Sequence, residues 1–229
     1  MTDVRPEPPE ELHDPHPVPS GPTLSEAVGG PLGVAEATLP FIFFTAVWAA
    51  TGQEEIAPAA IVAVTISAVL AALRLLRKES TQFAISGLIG VAIGAFVASR
   101  TGEASGFFLP GIIINACWLT AYLGSIAIRR PLLGLVLSRF TGEDGDWRAN
   151  RERVRLYTLA SWVWVGVFSV RLAIQVPLYL SDAVGSLAVA KIVTGLPLFA
   201  AGLYASYLIL RPILEEVELR LPPLPGGGG

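Results

Sequence analysis

The chain has 229 residues, 52% hydrophobic and 15% charged, with a net charge of −3 and a mean hydropathy of +0.59. Soluble domains carry about 25% charged residues, so the composition argues against an ordinary soluble domain. A single cysteine, Cys117, excludes an intrachain disulfide and a thiolate metal cluster, and both histidines, His13 and His16, lie in a Pro-rich stretch, so no haem, zinc or other cofactor is expected.

Residues 1–30 read as a disordered, Pro-rich cytoplasmic tail with few apolar side chains and no signal-peptide pattern. Residues 31–212 read as an all-α, polytopic membrane domain. Apolar runs near the length needed to cross about 30 Å of hydrocarbon recur six times, at about 32–50, 58–76, 82–99, 107–128, 156–180 and 184–210. The first holds Glu36 and a Leu39-Pro40 pair. The second ends in Arg74, Arg77 and Lys78. The third carries Gly90 and Gly94, a GxxxG spacing that lets helices approach closely. The fourth contains Pro110, Asn115 and Cys117.

A basic connection, 129–155, follows. Pro131 opens an apolar stretch, Leu132–Phe140, that reads as an interfacial helix, and Asp146 is placed to cap a helix starting at Trp147. Arg148, Arg151, Arg153 and Arg155 then lead into the fifth span. Arg211-Pro212 is expected to stop the sixth, leaving 213–229 as a cytoplasmic tail.

Basic residues set the orientation. With six spans, thirteen lysines and arginines fall on the side of the termini and only Arg100 on the other. Both termini are therefore expected in the cytoplasm, with the protein in a bacterial inner membrane. The cluster Arg129–Arg155 is expected to attract anionic lipid, not nucleic acid. No GxSxG, HExxH or P-loop pattern is present, so no enzyme is expected.

Leu39-Pro40 to Trp48 echoes Leu109-Pro110 to Trp118 in five of ten positions. Those spans run in opposite directions, as in a three-plus-three inverted repeat, the architecture of many secondary transporters. The alternative is that Leu-Pro and Trp simply suit membrane helices.

Four polar residues stand out by depth. At about 1.5 Å per residue, Arg171 and Lys191 each lie roughly 10 Å from the outer end of their spans, and Asn115 roughly 12 Å. Gln175 is one turn beyond Arg171. No Asp or Glu shares that level. One reading is an outward-opening cationic pocket for an anion or a lipid phosphate. Others are snorkelling to the headgroups, or pairing with Glu103 or Asp182. Glu36 is either a proton-exchanging carboxylate or an acid suited to a helix N-terminus.

The order of several features resembles the intracellular septation protein A family and a related actinobacterial family of integral membrane proteins. They are Leu39-Pro40 before Phe43-Phe44, the basic end of span two, Arg130-Pro131-Leu132, the Trp-rich fifth span (Trp162, Trp164) and Lys191. The resemblance implies a role in envelope maintenance or septation through membrane partners or self-association, without catalysis. Where that family is expected to have an amide in span five, this chain has Arg171 as well as Gln175, a departure from its pattern. The function thus stands between such a scaffold and a small transporter or lipid- or anion-binding protein.

Overall fold

The computed structural model describes residues 30–77, 81–141 and 146–220, and these are helical almost throughout. In chain order they form α1 (Gly30–Ala50), α2 (Ile56–Leu76), α3 (Thr81–Thr101), a 3-10 segment (Ala104–Phe108), α4 (Leu109–Ala127), α5 (Leu132–Thr141), a 3-10 turn (Asp146–Arg148), α6 (Arg151–Leu180) and α7 (Val184–Arg220). Among the described residues, five segments are long and apolar enough to cross a membrane: Gly33–Ala50, Ile56–Leu76, Ala104–Ala127, Arg151–Leu180 and Val184–Leu214. The protein is therefore a multi-pass membrane protein. The apolar part of α3, Ile85–Thr101, is shorter than these five. Most of the Pro-rich tail and residues 221–229 lie outside the described residues.

The outside of the bundle is apolar, with Ile61, Leu76, Val189 and Val193 more than half exposed. In hydrocarbon the backbone must satisfy itself, which is why the spans are helices. Span hydroxyls do likewise by donating to the preceding turn: Thr65 to the Ile61 carbonyl at 2.8 Å, Thr120 to Ala116 at 2.9 Å.

Small residues set the first helix contacts. Ala59, Ala63, Ser67 and Ala71 recur along the buried face of α2, which packs against α1 and α3. Beside them Phe44 stacks on Phe107, ring centroids 3.9 Å apart, and Phe41 leans on the same ring at 5.2 Å. Gly94 is required there, because a Cβ would come within 2.5 Å of the Phe107 carbonyl oxygen. A Cβ on Gly90 would meet nothing. The GxxxG spacing thus serves one close contact, and that contact is with the 3-10 segment.

A second cluster joins α4, α6 and α7. Tyr122 stacks parallel to Trp164, and the Trp164 indole N–H donates to Ser206 Oγ at 3.1 Å. A third gathers Trp147, Tyr157, Leu210 and Ile213, with Leu133 and Leu135 of α5 packed against it.

That third cluster corrects two sequence expectations. Trp147 is almost wholly buried against Tyr157 and the bare backbone of Gly134, so 146–148 turn inward instead of starting a helix. The α6 cap is Asn150, not Asp146: its Oδ1 accepts from the backbone N–H of Glu152 at 2.9 Å and of Arg153 at 3.4 Å. Asn150→Ala should lower stability by about 1 kcal/mol, read from thermal unfolding in detergent. An unchanged midpoint would mean that packing of Trp147 alone fixes the start of α6. Secondly, α7 does not stop at Pro212 but runs to Arg220. Leu210 and Ile213 lie one turn apart on its face and are both buried against Trp147 and Tyr157. Their burial outweighs the one backbone hydrogen bond that Pro212 removes.

The Leu-Pro echo occupies different places in its two helices. Pro40 is in the interior of α1, whereas Pro110 is in the first turn of α4.

A cationic cavity among four helices

Arg171, Gln175, Lys191 and Asn115 all line one cavity of about 300 Å³. Ala37 of α1 and Gly111 of α4 complete its walls with Gly195, Leu196 and Phe199 of α7 and Ile114 of α4.

Arg171 does not snorkel. Its guanidinium reaches across to α7, where Nε donates to the Thr194 carbonyl at 2.8 Å and Nη2 to the Gly195 carbonyl at 2.6 Å. Nη1 contacts Asn115 Oδ1 on the opposite wall at 3.5 Å. The local sequence of α7 explains why backbone carbonyls are reachable. Gly195 adds no side chain to block the approach of the guanidinium, and a helical carbonyl keeps a second lone pair for such a donor. Thr194 anchors the same turn, donating to the Ala190 carbonyl at 2.7 Å and accepting from Gln175 Nε2 at 3.2 Å.

Lys191 is held differently. Its ammonium sits 3.7 Å from the centroid of the Phe41 ring, a cation–π contact between α7 and α1. Gly111 makes room for it, since a Cβ there would stand 2.9 Å from Nζ. Lys191 makes no hydrogen bond or ion pair among the described residues.

No carboxylate is in the lining. Asp182 instead accepts from the backbone N–H of Ser105 at 3.2 Å and so clamps the 3-10 segment, and neither Asp182 nor Glu103 pairs with Arg171 or Lys191. The expected alternative of a structural ion-pair network at these two cations is thereby excluded. Glu36 lies outside the cavity. Its carboxylate pairs with Arg74 of α2 at 3.0 Å, with Arg74 almost wholly buried. The contact is a charge pair without the alignment of a hydrogen bond. Among the described residues no group of His, Cys, Asp or Glu could hold a metal ion.

What the cavity offers is therefore donors: the Lys191 ammonium, the Asn115 amide N–H groups and the Arg171 Nη1 edge. Phe41, Thr194 and Gly195 were not singled out in the sequence. The one signal that could have found the carbonyls is Gly195, a position without a side chain opposite an in-span arginine.

A family model matches residues 28–217. The chain belongs to the DUF3159 family, described as a protein of unknown function. The match covers all of the helices but the last three residues of α7, and every cavity residue of this DUF3159 protein. No curated protein and no solved structure matches the chain.

Proposed function

We propose that this DUF3159 protein is a non-catalytic binder of an oxyanion, a phosphate or carboxylate, within the membrane. The observation that carries the reading is the pairing of two cations in one cavity that contains no acid. Uncompensated charge at membrane depth is costly, and a bound anion offsets it. Arg171 is already braced on α7, so its free edge is preorganised, while Lys191 adds a point charge.

Lys191→Gln separates this role from a structural one. Affinity for dihexanoyl phosphatidic acid in detergent, measured calorimetrically, should fall at least about tenfold. The thermal midpoint of the ligand-free variant should rise, because an uncompensated cation is gone. Retained affinity sinks the reading.

The same reading takes α3 as a sixth span. At 21 residues it is about 31 Å long. Six spans put both termini on the side rich in basic residues, the cytoplasmic side of an inner membrane. Exposed Arg129, Arg130, Arg151 and Arg155 then meet anionic headgroups. That α1 and α4 both wall the cavity is consistent with their being counterparts in an inverted repeat, whose sites form between the halves. The alternation of access that such a repeat permits would make the binder a transporter. The envelope or septation role, acting through partner helices, rests on the family resemblance alone.

A further inference from the structure

We infer that the anion reaching this cavity is carried by the membrane: an amphiphile with a phosphate head, entering sideways between α1 and α4. The inference rests on the anion-binding reading above and adds the source and route. The cavity has a floor and a rim of different character. Gln175 is buried and Arg171 and Lys191 are half-buried at the back, whereas Ala37 of α1 and Ile114 of α4 are exposed at the front. These two helices are not closely packed on each other; each is held instead by other partners, α1 by α2 and α4 by α6. The opening therefore lies in the side of the bundle. One turn from Ala37 and Ile114 on the same helix faces, Val34 of α1 and Trp118 of α4 are exposed, a surface suited to acyl chains.

Depth agrees. Arg171 is about 14 Å along α6 from its Leu180 end, at about 1.5 Å per residue, deeper than the roughly 10 Å expected from the sequence, so the guanidinium lies at hydrocarbon depth. Size agrees as well. About 300 Å³ is at the small end of ligand cavities, room for a phosphate and the first part of a glycerol body but not for two chains, which would remain outside against the apolar rim. Leu196 and Phe199 give the inner wall an apolar stretch beside the donors, as a head joined to a hydrocarbon body requires.

The test uses full-length protein in phosphatidylcholine nanodiscs with dioleoyl phosphatidic acid as the probe and inorganic phosphate as the water-borne competitor. Two rim variants, Ala37→Phe and Ile114→Trp, narrow the opening without touching Arg171 or Lys191. Both positions are exposed, and an unchanged thermal midpoint for either one suffices to show an intact fold. The expected result is one phosphatidic acid retained per protein by native mass spectrometry. Retention should be weakened at least about tenfold by either rim variant and by Lys191→Gln, and should be unaffected by millimolar inorganic phosphate. If inorganic phosphate displaces the lipid and the rim variants bind normally, the anion comes from water; the membrane route falls while the anion-binding reading stands. If neither form of phosphate binds in a Lys191-dependent way, both fall together.

Discussion

Glu36→Leu is expected to destabilise the protein by about 3–5 kcal/mol, the cost of removing one partner from a buried ion pair. The carboxylate lies 3.0 Å from Arg74 Nε, with Arg74 at 4% side-chain exposure and Glu36 at 15%. Taking the acid away removes the carboxylate partner of an almost wholly buried guanidinium. The double variant Glu36→Leu with Arg74→Leu should recover much of the loss, because no buried charge then remains. Thermal unfolding in detergent measures both. A stability within about 1 kcal/mol of wild type for the single variant would mean that the other contacts of Arg74 suffice and that the pair is not what joins these helices. The effect should also reach the cavity, since α1 carries Phe41, the ring beneath the Lys191 ammonium. Loosening α1 should therefore weaken binding of dihexanoyl phosphatidic acid although Glu36 is not in the cavity.

Arg171→Met should have the second largest effect, on stability and on binding at once. The guanidinium makes two short bonds to the carbonyls of Thr194 and Gly195. Hydrogen bonds to a charged group contribute about 1.5–3 kcal/mol each and are not additive within one network. Arg171→Lys should not rescue either property, because an ammonium cannot span two adjacent carbonyls and still present an edge to Asn115. This separates Arg171 from Lys191. Loss at position 171 lowers both the thermal midpoint and anion affinity, whereas loss at position 191 lowers affinity and raises the midpoint. If Arg171→Lys behaves as wild type in both measurements, the fork geometry has no role and Arg171 is only a charge.

The membrane class, the helical architecture and five of the spans were legible from residue type alone. Hydropathy is a local property, and a run of about 20 apolar residues has few other uses. Depth was legible too. A helix rises by a constant amount per residue, so Arg171, Lys191 and Asn115 could be placed on one level before any helix was packed. Rotation about each helix axis was not. A small error in turn angle accumulates along a span, and only the neighbours decide it, so the convergence of those side chains with Gln175 on one cavity had to come from packing. The Glu36–Arg74 pair was within reach of the same depth argument, since α1 begins and α2 ends on one side. It was missed because Arg74 reads equally well as one of the basic residues that close a span.

Neither helix boundary that failed was a matter of local propensity. Asp146 and Pro212 are sound local signals for a start and a stop. Both are overridden by the burial of Trp147 against Tyr157, Leu210 and Ile213, residues far apart in the chain. The nature of the partners of Arg171 was hidden for a similar reason. Backbone carbonyls have no residue letter, and only the seating of α6 against α7 at the Pro197 turn brings two of them within 2.8 and 2.6 Å of the guanidinium. The sequence by itself determined that two cations would sit inside the membrane without an acid at their depth. The tertiary structure alone decided that they line one cavity, with Ala37 of α1 and Ile114 of α4 exposed in its wall. Helix composition specifies what lies at each depth, whereas the angle at which helices pack specifies what meets what.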